Sequence, residues 1–435
     1  MYETKRRDSS ESIIFLMQKL IIKGKRELSG KISISGSKNA TLPILAASIL
    51  AKYVRLKNIP LVKDIFTMVE LLNFIGLKTK IIKKQNVIEI ANEDKNINTL
   101  APYKLVKTMR AGVLVLGSLL TKYRKAKVSL PGGCAIGTRP VNLHLFALKK
   151  LGAKIKIKDG YILAEAKNGL TGAVIRFPSI SVGATENALL AAFNARGRTI
   201  LRNCAVEPEI KDLILFLKKL GADINLKGRT ISIKQSKIKI NKIRHQIIFD
   251  RIELGTYMIA GALLSDKNLK IDKINPAIIR SEIAILKKTG VKIIQKKNSV
   301  IIKKCKKLKK INIITKPYPG FPTDLQAQLM VLLTQASGIS KIKEDIFENR
   351  FMHVPELRRM GAQIEIKDKT AIITGPTKLT GAEVMATDLR ASVSLVLAGM
   401  VADNRTIVNR IYHLDRGYEF LERKLKNCKA EIKRI

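Results

Sequence analysis

The residues most ready for chemistry lie between Pro131 and Pro140, where three glycines and two prolines in ten residues exclude a helix or a central strand. This loop carries Cys134, with Arg139 close behind it. A structural cysteine is usually a small buried hydrophobe inside a packed element. A thiol on a pliable, cationic loop is instead biased toward thiolate and open to substrate. The chemistry on offer is proton donation or covalent addition by a mobile group. None of the four histidines (His144, His245, His353, His413) shares a metal-binding spacing with another, and no phosphate-binding glycine motif is present, so neither metal nor cofactor is expected.

The elements that must position such a loop are set by a repeat. LLNFIGLKTKI around Gly76, LKKLGAKIKI around Gly152, LKKLGADINL around Gly221, LKKTGVKII around Gly290 and LRRMGAQIEI around Gly361 share one helix-ending pattern. A degenerate sixth copy, LKNCKAEI, puts Lys429 where the others have glycine. The spacing of about seventy residues defines six units. Each reads as an apolar inner helix, a strand, an amphipathic helix closed by glycine, and two strands. A helix apolar on all sides must lie inside, ringed by sheet, and three units to a globule give two globules. The sixth unit lacks its last strands, and the N-terminal QKLIIKGKRELSGKISISGSKNAT resembles the segments joining units two to three and five to six. The start of the chain is therefore expected to complete the last unit, giving one domain over 37–248 and a discontinuous one over 17–36 plus 249–435.

Aligned on this repeat, charged residues recur at two junctions. At the start of the inner helix stand Lys38 and Asn39, Arg110, the Ser181-Val182-Gly183 stretch, and then Asp250, Asp324 and Asp388 with Arg390. Helix N-termini attract anions through unpaired amides and the dipole. One half thus offers cations and open amides, the other carboxylates. Any one aspartate here reads as a helix cap, but three facing a basic half suit a general base on a substrate hydroxyl. Before the outer helix stand Lys63 and Asp64, the Cys134 loop, Glu207 and Glu209, Arg350, and Arg416.

The 435 residues carry a formal charge of +46, which invites a nucleic-acid reading. The lysines are spread through every segment beside Ile and Asn, as a coding bias would spread them, and no phosphate-binding stripe stands out. Apolar runs fall short of the ~18 residues of a membrane span, and residues 1–16 read as a polar extension with Met17 an alternative start. Cys134, Cys204, Cys305 and Cys428 show no pairing pattern, so a reducing cytoplasm is expected.

Within this frame SGSKNATLPIL, SLPGGCAIGTRPVNLHL, SVGATENAL, FDRIELGT, FPTDLQAQ, FENRFMHVPELRRMGA, MATDLRAS and IYHLDRGYE closely resemble the UDP-N-acetylglucosamine 1-carboxyvinyltransferases of the enolpyruvyl transferase family, in order from about Gln18 to the C-terminus. The resemblance implies an α/β fold of two inside-out α/β barrels built from six βαβαββ units. It implies transfer of the enolpyruvyl group of phosphoenolpyruvate to the 3-hydroxyl of UDP-N-acetylglucosamine with release of phosphate. That is the first committed step of peptidoglycan precursor synthesis, serving cell-wall biogenesis and division. On this likeness Cys134 protonates the enolpyruvyl methylene and is the target of fosfomycin, Asp324 is the base, and Lys38, Asp388 and Arg416 complete the reacting centre. Lys38, Asn39, Arg110, Arg139, Arg390 and Arg416 would hold phosphoenolpyruvate. The UDP-sugar would meet Asn39, Lys63, Arg110, Arg139, Pro140, Val141, Asn142, Leu143, His144, Ser181, Val182, Gly183, Asp324, Ile346 and Arg350. Ser179 stands where some members have lysine, which removes one expected nucleotide-phosphate contact. The implied partners are these two small molecules, with no nucleic acid, no membrane and a monomeric state. The sister enzyme acting on shikimate 3-phosphate shares the architecture; the cysteine loop and SVGATENAL favour the nucleotide sugar.

Overall fold

The computed structural model describes residues 18–132, 141–236, 242–305 and 307–435; Cys134, Arg139 and Pro140 lie outside the described residues. Unit three shows the plan. A short lead strand, Val174–Arg176, precedes the buried helix Val182–Ala192; strand Arg198–Arg202, helix Pro208–Lys219 and the hairpin Asp223–Lys227 and Thr230–Lys234 follow. The lead strand pairs in parallel with Arg198–Arg202, whose other edge takes the last hairpin strand antiparallel. Six described sheets repeat this order, one of them with a fifth strand.

The outer helices end as the sequence predicts. Gly76, Gly152, Gly221, Gly290 and Gly361 all have φ between 90° and 112°. In each, the next residue's amide returns to a carbonyl five residues back, as Ala222 N does to Leu217 O at 3.0 Å. Lys429 adopts φ 73° and the same bonding, with Ala430 N to Leu425 O at 3.1 Å. The sixth unit keeps the turn with a side chain that disfavours it.

The inner helices carry no polar face. Lys38–Ala47, Val115–Tyr123 and Val182–Ala192 pack on one another and anchor one core running from Ala40 to Ile247. Arg251–Leu264, Gln326–Thr334 and Leu389–Val401 do the same for a second core, which joins Leu20–Ile34 to Ile252–Ile432. Sheets and amphipathic outer helices cover both: helices inside, sheets outside. Among the described residues no helix is long and apolar enough to cross a membrane.

The first strand, Leu20–Lys23, lies between Arg405–Asn409 and Glu431–Arg434, antiparallel to both, and so fills the last unit's sheet. The partners of two further strands were not legible in the sequence. Leu28–Ser33 is the lead strand beside Ser265–Asp272 in the second core, yet the chain leaves it into the first core's helix at Lys38. Lys242–Gln246 pairs with Tyr53–Lys57 in the first core and leaves into the second core's helix at Arg251. The two crossing segments bind each other, with Ser37 N to Ile248 O at 2.7 Å and Asp250 N to Ser35 O at 2.9 Å. Gly36 is required there, because a Cβ would stand 1.7 Å from the Asn58 carbonyl oxygen.

Beside the crossing, Arg251 Nε binds Glu209 at 3.0 Å from the other core, and its Nη1 lies 3.5 Å from Glu282. Glu186 and Glu207 are buried near this cluster. Burial first, then the charges of Glu209 and Glu207, push Glu186 up to about 8.

Two outcomes follow from this packing. Gly152 has no atom within 4 Å of the point where a Cβ would stand, so Gly152→Ala carries only the backbone penalty and should lower stability by about 1 kcal/mol, while Lys429→Gly should raise it by a fraction of that; urea midpoints measure both. Glu186 binds its proton more tightly folded than unfolded, so it lowers stability progressively as pH rises from its ordinary carboxyl value of 4.5 to about 8. Glu186→Gln removes this titration. Its melting temperature should match the unsubstituted protein at pH 5 and exceed it at pH 9.

Candidate active site

The candidate residues cluster at the starts of the inner helices. Four of these helices start with a side-chain cap. Ser37 accepts from Ala40 N, Ser181 from Ala184 N, Asp250 from Ile252 N and Glu253 N, and Asp388 from Arg390 N and Ala391 N. Two of the three aspartates singled out in the sequence are therefore caps. The remaining two helices start as 3₁₀ turns, Arg110–Leu114 and Thr323–Leu325, without a side-chain cap. These turns carry Arg110 and Asp324. Asp324 directs its carboxylate to arginines.

Lys38 sits in the first turn of its helix and is buried. Its Nζ donates to Asp64 Oδ2 at 3.1 Å, and Arg416, from the second core, donates to Asp64 Oδ1 through Nε at 2.9 Å. Lys38 N also donates to Asp250 Oδ2 at 3.3 Å across the crossing. Burial pulls the Lys38 ammonium below the usual lysine range; Asp64 opposes this, and Arg390 and Arg416 add to the lowering. For Asp64, burial alone would raise the carboxyl, but Lys38 and Arg416 outweigh it and hold the group below its ordinary value.

The second cluster surrounds Asp324. Oδ1 accepts from Arg350 Nη2 at 2.6 Å and Oδ2 from Arg390 Nη2 at 2.7 Å. Arg390 continues through Nη1 to the Tyr418 hydroxyl at 3.2 Å, which pairs with Thr256 Oγ1 at 2.8 Å and accepts from Gln328 Nε2 at 3.3 Å. Gln328 Nε2 closes the ring on the Asp324 carbonyl at 3.0 Å. The loop bearing Ile346 and Arg350 is tied to the same place by buried Glu344, which accepts from Thr315, Thr323, Ile346 N and Phe347 N. Arg390 is close enough to Lys38 to lower its pKa, so the two clusters lie within electrostatic range of each other.

A third group lies around His144 on the helix Asn142–Lys150. Asn187 Oδ1 accepts from Gly117 N at 2.8 Å, which fixes its amide so that Nδ2 donates to Val113 O at 3.2 Å and to His144 Nδ1 at 3.1 Å. The ring therefore carries its proton on Nε2. Burial first, then Arg110, pushes His144 down to about 3, so it stays neutral. A Cβ on Gly183 would stand 3.2 Å from that Nε2, which places the His144 edge against the open start of the Ser181-Val182-Gly183 helix. Val182 and Asn142 are exposed, Val141 is buried, and Asn39, Leu143 and Ser181 are half-buried.

The structure thus brings Lys38, Arg390 and Arg416 to one place with Asp324 and Arg350, and puts His144 beside Gly183 and near Arg110. Asp388 serves its own helix through Oδ1, with its charge felt by His353 and His413. Sequence reasoning passed over Asp64 as the partner of two cations, and over Asn187, Glu344, Thr256, Gln328 and Tyr418. The only signal for Asp64 was its place in the repeat, one residue past Lys63 and in register with the Cys134 loop.

The model of the EPSP synthase (3-phosphoshikimate 1-carboxyvinyltransferase) family matches residues 22–425. The chain is 57% identical over 421 residues, 96% of its length and all of the relative's, to the UDP-N-acetylglucosamine 1-carboxyvinyltransferase of Pelagibacter ubique. It is 52% identical over 421 residues, with the same coverage, to the protein of that name from Rickettsia prowazekii. Among solved structures, the enolpyruvyl transferase NikO from Streptomyces tendae is similar with a TM-score of 0.87 at 26% identity, over 96% of this chain and 99% of that one. EPSP synthase from Acinetobacter baumannii shares the fold with a TM-score of 0.74 at 17% identity, over 96% of this chain and 100% of that one. With the family model spanning most of its length and relatives above half identity, the chain belongs to the EPSP synthase family of enolpyruvyl transferases, in the group named UDP-N-acetylglucosamine 1-carboxyvinyltransferase.

Proposed function

We propose that this protein transfers the enolpyruvyl group of phosphoenolpyruvate to the 3-hydroxyl of UDP-N-acetylglucosamine and releases phosphate. The observation that carries this reading is the pair of ion clusters in one site, Lys38–Asp64–Arg416 and Asp324 between Arg350 and Arg390. A small trianion and a sugar hydroxyl need several fixed cations and one carboxylate, in a place that can exclude water. In the reaction the hydroxyl oxygen attacks the enol carbon while Asp324 takes its proton and Cys134 delivers one to the methylene carbon. The tetrahedral intermediate then loses a proton from that carbon and its phosphate as the leaving group, leaving the enol ether. Lys38, Arg110, Arg139, Arg390 and Arg416 hold the phosphate and carboxylate of the donor, assisted by the positive ends of the inner helices. Asn39, Val141, Asn142, Leu143, His144, Ser181, Val182, Gly183, Ile346 and Arg350 serve the UDP-sugar, with Pro140; neutral His144 offers it an Nε2–H donor. Asp388 acts by fixing the helix start that bears Arg390.

The two cores support domains over 37–248 and over 17–36 plus 249–435, closing on the substrates about the paired crossing segments, with the Cys134 loop as a lid. The product feeds peptidoglycan precursor synthesis in the cytoplasm, and through it cell shape and division.

A coupled phosphate assay tests the assignment. Release from phosphoenolpyruvate should require UDP-N-acetylglucosamine, and Cys134→Ala should lower the rate at least about 100-fold. Release dependent on shikimate 3-phosphate, or a fully active Cys134→Ala enzyme, refutes the substrate or the acid respectively. Fosfomycin should add one adduct, mapped by peptide mass to Cys134; labelling confined to Cys204, Cys305 or Cys428 contradicts the proposed lid thiol.

A further inference from the structure

Asp64 is given no role of its own in the reading above, yet it is the carboxylate on which two of the donor-binding cations converge. It lies in the first turn of the helix Lys63–Ile75, with a side chain 7% exposed. Lys38 reaches its Oδ2 at 3.1 Å, and Arg416 reaches Oδ1 through Nε at 2.9 Å and Oδ2 through Nη2 at 3.5 Å. Lys38 and Asp64 belong to the first core's chain and Arg416 to the second's. Two-point contact fixes the plane of the guanidinium, and one contact spends only one of the three ammonium N–H groups.

We propose that Asp64 is a positioning residue for the enolpyruvyl donor, holding Lys38 and Arg416 in mutual register across the two cores. The inference rests on the function proposed above. Arg390 and Arg416 both lie within electrostatic range of Lys38, and without a counter-ion they would repel its ammonium before any substrate anion arrived. Asp324 commits one oxygen to Arg350 and the other to Arg390, so its charge is spent chiefly on that pair. Asp250, the other carboxylate at the Lys38 helix start, spends Oδ1 on its own helix and meets Lys38 through the main-chain amide, not the ammonium. Asp64 is thus placed to do two things. It orients both cations, and it keeps the buried Lys38 ammonium protonated against burial and against the two arginines.

The second role gives a readout that mere support of the fold would not. Removing the Asp64 charge lowers the Lys38 pKa further, so the alkaline limb of kcat/KM for phosphoenolpyruvate moves to lower pH. The experiment is steady-state kinetics of the full-length enzyme, unsubstituted and Asp64→Asn, with each substrate varied across pH 6–10. Asp64→Asn should lose about 100-fold in kcat/KM for phosphoenolpyruvate, change KM for the UDP-sugar less than about 3-fold, and bring the alkaline limb down. Asp64→Glu, which keeps the charge and shifts its reach, should lose rate while leaving the limb at its original pH. It also serves if the asparagine variant does not fold. An unchanged profile in Asp64→Asn, an equal loss for both substrates, or a limb displaced in Asp64→Glu overturns the proposal. If the unsubstituted enzyme itself shows no turnover with this substrate pair, the assignment of function fails, and the positioning role with it. Turnover in the unsubstituted enzyme with an unaffected Asp64→Asn variant sinks the positioning role alone.

Discussion

The structure depends on the fact that its inner helices have no polar side. A helix apolar all round must be enclosed, and here each core wraps three of them in sheet and amphipathic helix. Once the flanks are sealed, only the ends can meet solvent. The helix starts are therefore the natural place for an anion site, since unpaired amides and the positive end of the dipole already favour anions there. Cationic side chains at those starts add to a field that the fold supplies.

The same constraint sorts the acidic residues. A carboxylate at a helix start is normally drawn to the amides above it, and Asp250 and Asp388 answer that demand. Asp324 escapes because its helix opens with a 3₁₀ turn, and its two oxygens go to Arg350 and Arg390 instead. A difference of one turn in backbone geometry thus separates structural aspartates from the one suited to chemistry. Arg110 occupies the matching place in the other core, also on a 3₁₀ start.

Much of this was legible in the sequence, for physical reasons that can be named. The five glycines recur because a left-handed residue must close each outer helix, so the repeat, the element order and even the odd Lys429 could be read from spacing. The return of the first strand to the last unit was visible as an internal likeness. Lys38, Arg390, Arg416 and Asp324 stood out through register and family resemblance together. What stayed hidden was pairing between distant segments. Asp64 meets Arg416 over a separation of 352 residues, and no local pattern encodes such a contact. The partners of Leu28–Ser33 and Lys242–Gln246 were hidden for the same reason: a parallel strand of five or six residues carries no mark of which strand it pairs with. Tyr418, Thr256 and Gln328 look like ordinary core residues until their polar atoms are seen to need one another.

The place of Leu20–Lys23 has a consequence for how the chain is made. Ribosomal synthesis delivers this strand long before its partners, Arg405–Asn409 and Glu431–Arg434, emerge. Leu28–Ser33 waits likewise for Ser265–Asp272. The core from Ala40 to Ile247, by contrast, has all its strands once residue 246 is out. Assembly is thus ordered in time: the first core has all its strands while Leu20–Lys23 still lacks its partners, and the second closes only after Glu431–Arg434 has emerged. Of these strands, the earliest to leave the ribosome is the one the cell must shield longest.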